Sequence, residues 1–308
     1  MSRLTHALVL TAGLGTRLRP LTLVRAKPAI PVAGIPMARR ILRWLASAGV
    51  TDAVLNLHHL PHTVARVVGD GADLNLRARY SWEPILLGSA GGPRHALDIL
   101  GADTFLIVNG DTLTDVDLAP LICAHAAADA LVTMAVVPNT EPQHYSGLRL
   151  AEDGSVLGVV PRGSTNPSFH FIGVQVADRK AFADLPAGRP ISSVSEVYVA
   201  LIAARPGSIR AHVCGARFWD IGTVADYRAT SRVFAGSPSS PGPEAGTDTV
   251  FVDSIAWDDV LLGDRCRVSH CIVTDGVRVA AGAEYSNMVL LRGADGETVA
   301  VPIATETR

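Results

Sequence analysis

The sequence lacks several features that would place it in common protein classes. It has only four cysteines and no CxxC pair, and Cys266 with Cys271 lacks the companion ligands of a zinc site, so free and mostly buried thiols are expected. The formal net charge of -2 gives no overall attraction to nucleic acid or to an anionic membrane. No apolar run is long enough to span a bilayer, and the N-terminus shows no small-residue cleavage site. We therefore expect a cytoplasmic protein whose partners are small anions, with neither nucleic acid nor membrane among them.

The first 230 residues or so alternate between strand-like and helix-like patterns. Strand-like runs occupy residues 7–12, 53–58, 104–110 and 130–137. Helical patterns are predicted over residues 37–48, 61–68, 92–100 and 117–128. This alternation predicts an α/β fold, in which helices cover both faces of a sheet rich in parallel strands.

The C-terminal quarter has a different character. Residues 235–247, AGSPSSPGPEAGT, have the composition of an exposed linker. Beyond them, short apolar steps recur about every six residues with intervening glycines, a pattern typical of a β-helix. We therefore expect a large domain over residues 1–234, a linker over 235–247, and a short left-handed β-helix-like domain over 248–308 made of two incomplete coils. Such a cap packs on the large domain or on another subunit, so a homo-oligomer through it is a further expectation.

Glycines and cations follow the first strand in the segment LTAGLGTRLRPLTLVRAKPAIPV. Gly13 and Gly15 allow main-chain N–H groups to approach an anion closely, and Arg17 and Lys27 would neutralise its charge. A dinucleotide fingerprint would need a third glycine where Leu18 stands, and a Walker loop would need GK followed by Ser or Thr. The two glycines alone also fit an ordinary tight turn, so the phosphate-binding hypothesis depends on the cations beside them.

Two aspartates follow strand-like runs at distant positions. Asp111 comes just after FLIVNG, and Asp220 lies in FWDIGT, before a helix expected to begin near Thr223. Either carboxylate alone fits a turn or a helix cap. Together, from two different strands, they suit Mg²⁺, which takes few protein oxygens and completes its shell with water and phosphate.

The strings A-G-x-G-T-R-x-R-P-L-T and K-P-x-x-P-V-x-G-x-P-M resemble the signature of the sugar-phosphate nucleotidyltransferases. Within that family the chain is similar to mannose-1-phosphate guanylyltransferase-like enzymes and to N-acetylmuramate or glucose 1-phosphate uridylyltransferase-like enzymes. The resemblance covers about the first 230 residues and implies a Rossmann-like three-layer domain with a mixed, mostly parallel sheet. It implies transfer of a nucleoside monophosphate from a nucleoside triphosphate to a sugar 1-phosphate, with Mg²⁺ as the cofactor.

The resemblance also assigns site residues. Arg17, Lys27, Asp111 and Asp220 correspond to the catalytic positions, the two aspartates being the metal ligands. The expected nucleotide-binding positions are Leu10, Ala12, Gly13, Gly15, Thr16, Glu83, Gly88 and Gly91. The expected sugar phosphate-binding positions are Asn109, Gly147, Arg162, Gly173 and Glu196, of which Glu196 fits a solvated helix face equally well.

Two positions bear on substrate choice. Many family members carry Gln where this chain has Glu83, and a carboxylate can accept from the adjacent N1–H and N2–H₂ of guanine, which favours GTP and, with it, mannose 1-phosphate. Related uridylyltransferases also carry Glu in this region. The family's E-K-P is replaced by VPRG, so that Arg162 retains the phosphate-binding charge whereas Pro161 removes a carboxylate and leaves the sugar open.

Three alternatives remain open from the sequence. The first is a uridylyltransferase that acts on N-acetylmuramate 1-phosphate or glucose 1-phosphate. The second is a non-catalytic subunit that senses a nucleotide sugar, although such a protein should have lost a metal carboxylate or a phosphate-loop cation. The third is a dinucleotide-dependent oxidoreductase, which is supported by fold analogy alone.

Overall fold

The computed structural model describes residues 4–235 and 242–303, so part of the predicted linker lies outside the described residues. The α-helices in the described part of the chain are α1 (Met37–Ser47), α2 (Pro61–Val68), α3 (Gly88–Leu100), α4 (Leu118–Ala126), α5 (Tyr198–Ala204) and α6 (Val224–Phe234). The helices predicted over 37–48, 61–68 and 117–128 are present with small changes at their ends. The helix predicted over 92–100 begins four residues earlier, because the Ala90 N–H in its first turn donates to the distant Ile191 carbonyl at 2.9 Å.

Thirteen strands precede the predicted linker within the described residues. They are β1 (His6–Leu10), β2 (Pro31–Val32), β3 (Ile35–Pro36), β4 (Asp52–Leu57), β5 (Arg77–Trp82), β6 (Thr104–Asn109), β7 (Thr112–Thr114), β8 (Val132–Pro138), β9 (Gly147–Leu150), β10 (Val156–Val160), β11 (Phe169–Asp178), β12 (Ile209–Val213) and β13 (Phe218–Asp220). The four strand-like runs of the sequence correspond to β1, β4, β6 and β8. Strand β5, RARYSW, was not predicted, because it carries alternating charges that hide its buried face.

Nine of these strands form one mixed sheet. Its centre is the order β6-β1-β4-β5, in which every neighbouring pair is parallel. Strand β11 joins β6 in antiparallel direction and connects the centre to β8, β9, β10 and β12. The α/β fold with a mixed sheet is therefore confirmed. Because β1, β4, β5 and β6 are parallel, their carboxyl ends lie at one edge of the sheet, where open α/β sheets bind ligands.

The main hydrophobic core lies against this sheet. Leu8, Val54 and Phe105 from the strands and Leu97 from α3 have at most 1% of their surface exposed. Tyr198 from α5 joins the same cluster. Burial of large side chains of this kind contributes about 1.5–3 kcal/mol each and holds the strand ends in fixed register.

The C-terminal strands form a short β-helix-like stack. They are β14 (Glu244–Ala245), β15 (Val250–Val252), β16 (Ile255–Ala256), β17 (Leu261–Leu262), β18 (Arg267–Ser269), β19 (Ile272–Val273), β20 (Arg278–Val279), β21 (Glu284–Ser286), β22 (Met288–Arg292) and β23 (Thr298–Pro302). Parallel pairing builds three faces, β14-β17-β20, β15-β18-β21 and β16-β19-β22, each three strands deep. The expected β-helix-like architecture is confirmed, with more turns than the two incomplete coils predicted. Antiparallel β23 extends the last face.

The stack encloses its own apolar core. Side chains of Val260, Val268, Val277 and Leu290 are buried together, and Cys266 and Cys271 lie among them as free thiols. Cys123 is exposed on α4, so the expectation of mostly buried cysteines holds for the stack and fails for that helix.

The chain forms two compact units. The larger unit comprises Met1–Gly13 and Ala38–Asp220, and the smaller unit comprises Leu14–Met37 and Ile221–Arg308. The segment that follows the first strand therefore belongs to the same unit as α6 and the C-terminal stack. The predicted boundaries at residues 234 and 247 divide the chain along its sequence and stay a prediction. Within residues 4–235 and 242–303, none of the helices is long and apolar enough to cross a membrane.

Candidate active site

In the larger unit, buried hydrogen bonds join the carboxyl ends of β1, β4 and β5. The Thr11 N–H donates to Asn56 Oδ1 at 2.6 Å, and Thr11 Oγ1 donates to the Asn56 carbonyl. Asn56 Nδ2 donates to Glu83 Oε1 at 2.7 Å, and the Leu87 N–H donates to Glu83 Oε2 at 2.9 Å. This network ties the chain after β1 to the start of α3. The sequence carries little sign of it, since Asn56 is one polar residue at the end of a buried strand.

The expected nucleotide-binding residues of the larger unit surround this network. Leu10 ends β1, and its carbonyl accepts from the Gly110 N–H at 2.9 Å. Ala12 is buried, whereas Gly13 is exposed and a Cβ there would meet nothing within 4 Å. The accessible backbone after β1 therefore begins at Gly13.

Two further residues that are expected to bind the nucleotide, Gly88 and Gly91, lie in the first turn of α3. A Cβ at Gly88 would lie 2.7 Å from the Ile191 carbonyl oxygen, and one at Gly91 would lie 2.5 Å from the Arg189 carbonyl oxygen. Both glycines are therefore required for the close approach of residues 189–191 to α3.

Glu83 does not have the role expected from the sequence. Its side chain has 0% exposure, and both carboxylate oxygens accept hydrogen bonds from within the larger unit. A Cβ at Gly92 would lie 2.7 Å from Oε1, so α3 packs directly on the carboxylate. Because no surface of Glu83 is open to a ligand, the expected contact with guanine is corrected: Glu83 braces the strand ends and the start of α3.

We expect Glu83→Gln to destabilise the protein by about 1–3 kcal/mol, the cost of a buried donor or acceptor left without a partner. Asn56 cannot adapt by rotating its amide, because its Oδ1 already accepts from Thr11. The new NH₂ group would therefore face either Asn56 Nδ2 or the Leu87 N–H, and two donors would meet. Urea unfolding measures the loss, and the ratio of activities with GTP and UTP should not change.

Glu196→Gln is the matched control for this substitution. Glu196 is exposed and its Oε1 accepts from the Ser192 N–H at 2.8 Å, a bond that an amide oxygen preserves. Equal stability of the two variants would contradict the bracing role of Glu83. A large change in the GTP to UTP ratio on Glu83→Gln would restore the base-reading role.

In the smaller unit, the segment after Gly13 folds into three 3-10 turns, at Thr16–Leu18, Leu21–Leu23 and Lys27–Ala29. Gly15 has φ of 60°, in the left-handed region that favours glycine. A Cβ there would lie 2.8 Å from Thr22 Cγ2 and 3.3 Å from Lys27 Cβ, and Thr22 Oγ1 donates to the Gly15 carbonyl at 3.0 Å. Gly15 is therefore needed both for the turn and for the close approach of the chain that bears Lys27.

The two expected cations of this segment differ in exposure. Thr16 and Arg17 are exposed, whereas Lys27 has only 7% of its surface exposed. A Cβ at Gly222 would lie 3.4 Å from Arg17 Nη1 and 3.4 Å from Asp226 Oδ2. The turn before α6 therefore passes close to the Arg17 guanidinium within the smaller unit.

A cluster around Arg25, made of Arg25, Trp257, Asp258 and Asp275, joins this segment to the C-terminal stack. Arg25 is 1% exposed; its Nε and Nη2 donate to the two oxygens of Asp275 at 2.7 and 2.6 Å, and Nη2 also donates to Asp258 at 2.5 Å. Its guanidinium carbon lies 5.4 Å from the centroid of the Trp257 ring. Burial opposes the charge, but the carboxylates outweigh burial and raise the pKa of Arg25.

A second connection runs beside the Arg25 cluster. Trp257 Nε1 donates to the Tyr227 hydroxyl at 2.9 Å, and that hydroxyl donates to the Pro31 carbonyl at 2.7 Å. Tyr227 is fully buried on α6. The segment that carries Arg17 and Lys27 is thus held by α6 and by the stack together.

The structure brings the two predicted metal ligands together in the larger unit. Strands β7 and β13 form an antiparallel ribbon in which Asp220 lies opposite Thr112, the residue after Asp111. Asp111 and Asp220 are both half-buried. Residues 109 positions apart in the chain are therefore neighbours on one ribbon.

The ribbon is fixed at its other end. The Arg217 N–H and Nε donate to the two oxygens of Asp115 at 2.7 and 2.8 Å, and Thr114 Oγ1 donates to the Arg217 carbonyl at 2.7 Å. Burial opposes ionisation of Asp115, but the hydrogen bonds from Arg217 outweigh it and hold the pKa of that carboxyl below its usual range. Asp115 is therefore a brace for the ribbon rather than a third ligand.

The pair of carboxylates fits a hard divalent cation. In the described residues, no group of three or more His, Cys, Asp or Glu side chains is arranged to hold a metal ion. A site with two carboxylates therefore suits a cation that takes its other oxygens from water and from a phosphate ligand, as Mg²⁺ does. A softer metal would require thiolate or imidazole ligands that this ribbon does not supply.

The expected sugar-side residues Asn109 and Gly173 are in contact. Asn109 ends β6, and a Cβ at Gly173 would lie 2.9 Å from Asn109 Nδ2. Gly173 has φ of 78°, at the irregularity where β11 shifts register against β8. Gly147 begins β9, where a Cβ would collide with Ser168 Oγ. These three positions thus share the part of the larger unit around β11.

The other two expected sugar-side residues lie elsewhere. Arg162 is exposed in a turn after β10, where the neighbouring Gly163 N–H donates to the Pro142 carbonyl at 2.7 Å. Glu196 is exposed on the π-helical turn Ser193–Val197 and accepts from the Ser192 N–H. Because its side chain is exposed, both the contact with a sugar hydroxyl and the solvated helix face that the sequence left open stay predictions.

Sequence reasoning missed a cluster of rings beside Gly147. Tyr145 stacks on His170 with centroids 4.2 Å apart, and Phe218 lies 5.6 Å from Tyr145 and 5.0 Å from His170. Burial is the main reason that the pKa of His170 is lowered. Phe218 precedes Asp220 on the ribbon by two residues, so the ring cluster and the carboxylate pair share strand β13.

Comparison with known proteins agrees with this geometry. The family model described as "Nucleotidyl transferase" matches residues 6–234. The chain belongs to the nucleotidyl transferase family. The mannose-1-phosphate guanylyltransferase of Mycobacterium tuberculosis is 31% identical over 292 residues, which is 90% of this chain and 81% of that protein. The N-acetylmuramate alpha-1-phosphate uridylyltransferase of Neisseria meningitidis is 35% identical over 185 residues, which is 59% of this chain and 79% of that protein.

A solved structure agrees in fold. HddC from Yersinia pseudotuberculosis, complexed with GMP-PN, is similar with a TM-score of 0.65 and 24% identity, covering 75% of this chain and 100% of that one. The curated relatives are sugar-1-phosphate nucleotidyltransferases, and this nucleotidyl transferase is an enzyme of that same family.

Proposed function

We propose that this nucleotidyl transferase transfers GMP from GTP to mannose 1-phosphate and releases pyrophosphate. The observation that carries the proposal is the β7–β13 ribbon, which makes Asp111 and Asp220 neighbours. Such a pair suits a substrate that supplies phosphate oxygens, and the loop after β1 offers an accessible backbone and cations for the same kind of ligand.

The reaction requires no covalent enzyme intermediate. An oxygen of the sugar 1-phosphate forms a bond to the α-phosphorus while the bond from that phosphorus to the pyrophosphate oxygen breaks. The acceptor is already an anion, so no base needs to remove its proton. Catalysis by this chain is then a matter of positioning and of charge stabilisation.

We assign roles to the residues accordingly. Arg17 binds the β- and γ-phosphates, and Lys27 neutralises the α-phosphoryl group as charge develops. Mg²⁺ held by Asp111 and Asp220 would add positive charge at the transferred phosphate. Backbone groups at Gly13, Gly15 and Thr16 bind the triphosphate, Leu10 and Ala12 form the base of this nucleotide-binding loop, and Gly88 and Gly91 bind the nucleoside. Asn109, Gly147, Gly173 and Arg162 bind the sugar phosphate, with Glu196 at a sugar hydroxyl.

The preference for GTP no longer depends on Glu83, whose carboxylate is buried. It is supported instead by the relative in Mycobacterium tuberculosis, which is named as a guanylyltransferase and matches along 90% of this chain. The preference for mannose 1-phosphate has the same support. The base must therefore be selected by groups other than the carboxylate that the sequence suggested.

A uridylyltransferase is the second candidate function. The relative in Neisseria meningitidis has the higher identity, 35%, although over a shorter region. It is named for N-acetylmuramate alpha-1-phosphate, and the loss of the family's Glu at Pro161 would suit a sugar that does not need this carboxylate.

A substrate matrix tests both candidates. Each of GTP, UTP, ATP, CTP and dTTP is combined with mannose, glucose and N-acetylmuramate 1-phosphates, and pyrophosphate release is measured. We expect the GTP and mannose 1-phosphate pair to exceed every other pair in kcat/KM by about tenfold or more, a difference of about 1.4 kcal/mol. Preference for UTP by a similar factor would overturn the first candidate and support the second. Absence of pyrophosphate release from every pair would overturn both and favour a nucleotide-sugar sensor.

Two further properties are proposed with this function. The protein acts in the cytoplasm, where nucleoside triphosphates and sugar phosphates are available. It assembles with copies of itself through residues 248–308, and light scattering coupled to size-exclusion chromatography measures that state.

A further inference from the structure

A cavity of about 340 Å³ lies within the smaller unit, and its described lining includes none of the residues assigned to phosphate transfer. One wall is the face of α6 that bears Arg228, Ser231 and Arg232. The opposite wall is formed by Phe251 and Ile255 of the first coil of the stack. A cavity of this volume is at the lower end of the range of small-molecule sites.

Positive charge is concentrated on the helical wall of the cavity. Arg228 and Arg232 are four residues apart on α6 and therefore point to the same side of the helix. Burial, followed by the charge of Arg232, lowers the pKa of Arg228. Within residues 4–235 and 242–303, neither guanidinium has a hydrogen bond or an ion pair. Two like charges at this spacing repel one another, so the arrangement costs stability unless an anion neutralises it.

Among the described residues that line the cavity, Asp253 is the one carboxylate, and it does not neutralise this pair. Asp253 contributes attraction to Arg228, but its Oδ2 lies 3.7 Å from His270 Nδ1 and most of its side chain is exposed. No hydrogen bond joins it to either arginine in the described part of the chain. The wall therefore keeps a net positive charge.

Ser231 adds a buried hydroxyl beside the two arginines. It lies between the two arginines, only 5% of its surface is exposed, and it lines the same cavity. Its Oγ is buried without a hydrogen-bond partner in the described residues. The neighbouring Tyr227 hydroxyl accepts from Trp257 and donates to the Pro31 carbonyl, and Ser231 partly offsets the rise that burial causes in the pKa of Tyr227. A ligand oxygen in the cavity would accept a hydrogen bond from the Ser231 hydroxyl.

We propose that this cavity binds a phosphomonoester of a small organic molecule. The two guanidinium groups bind the phosphate oxygens, an arrangement in which planar donors match a tetrahedral dianion, and Ser231 Oγ donates to one of them. Phe251 and Ile255 pack on the organic part. A phosphate dianion suits the site better than a carboxylate, because it matches the charge of both arginines and offers enough acceptors for both and for the hydroxyl.

The position of the cavity relates it to the segment that carries Lys27. Gly34, in the turn between β2 and β3, also lines the cavity. That segment is attached to α6 through the hydrogen bond from Tyr227 to the Pro31 carbonyl. An occupant therefore touches both the helix and the segment, and it should stabilise the smaller unit as a whole.

Isothermal titration calorimetry on the full chain tests the proposal with glucose 6-phosphate and glycerol 3-phosphate as probes, and with glucose and glycerol as their phosphate-free controls. We expect saturable binding of at least one phosphorylated probe and no binding of either control. Arg228→Gln combined with Arg232→Gln should weaken that binding at least about tenfold. Arg278→Gln, which removes an exposed arginine from the same stack, should leave it unchanged.

Two more variants distinguish binding in this cavity from binding at the triphosphate site. Ser231→Ala should weaken binding, because it removes the hydroxyl that donates to a phosphate oxygen. Arg17→Gln should bind the probe as the unchanged protein does, since Arg17 is assigned to the triphosphate. The proposal is overturned by loss of binding in Arg17→Gln alone, by equal binding in the Arg228→Gln/Arg232→Gln protein, or by no saturable binding up to about 10 mM.

Discussion

Replacing Asp111 by Asn should lower kcat by at least about 10²–10³-fold, the usual loss when one stabilising group for transition-state charge is removed. The amide has nearly the shape of the carboxylate, so β7 and β13 should keep their pairing. What disappears is one of the two negative charges that suit a hard cation. Pyrophosphate release under saturating substrates measures the loss, and circular dichroism checks that the fold is intact.

Asp117→Asn is the matched control for this substitution. Asp117 caps α4 by accepting from the Ala119 N–H at 3.0 Å, and asparagine caps a helix as well as aspartate does. Its activity should be unchanged. Asp220→Asn should resemble Asp111→Asn, and the double variant should be little worse than either single one, because two groups that act as a unit are not additive. Near-normal turnover in Asp111→Asn would refute the assignment of the metal site.

Replacing Arg25 by Met should destabilise the protein by about 3 kcal/mol, at the lower end of the cost of breaking a buried ion pair. Asp275 would lose two hydrogen bonds while 23% of its side chain is exposed, and it would remain as a poorly solvated charge. Methionine fills much of the volume under Trp257. The decrease in the free energy of unfolding would therefore come from the missing charge more than from an empty cavity. Urea unfolding measures it, with fluorescence of the buried Trp257 as a probe of the smaller unit.

The carboxylates of Asp258 and Asp275 provide an internal control for this prediction, because they differ in exposure. Asp258 has 61% of its side chain exposed, so Asp258→Asn should cost less than about 1 kcal/mol, as exposed ion pairs do. Asp275→Asn should cost clearly more. If Arg25→Met were no more harmful than Asp258→Asn, the Arg25 cluster would not hold the segment.

The sequence predicted those parts of the fold whose signals are local. The period of apolar residues in α1, and Pro61 at the first position of α2, place these helices closely. The same holds for the buried runs of β1, β4 and β6. The first turn of α3 could not be predicted, because its backbone partner, Ile191, lies about a hundred residues further along the chain.

The residues of the candidate site also divide into those that the sequence selects and those whose role depends on distant partners. Residue type, position after a strand and the family resemblance were enough to select Asp111 and Asp220, but the β7–β13 ribbon, which lies outside the nine-stranded sheet, could not be predicted. The role of Glu83 could not be predicted from residue type and position, because it depends on the burial of the carboxylate and on the fixed orientation of the Asn56 amide. Arg25 gave no signal at all, for its partners Asp258 and Asp275 are 233 and 250 residues away.

The Arg25 cluster also limits how parts of related chains can be exchanged. A C-terminal stack taken from a relative could replace this one only if it brought carboxylates to the positions of Asp258 and Asp275 and an indole to that of Trp257. Without them, Arg25 would be buried with its charge unmatched, two residues from Lys27. A chimera joined at the linker would thus be destabilised far from the junction, in the segment that begins at Leu14.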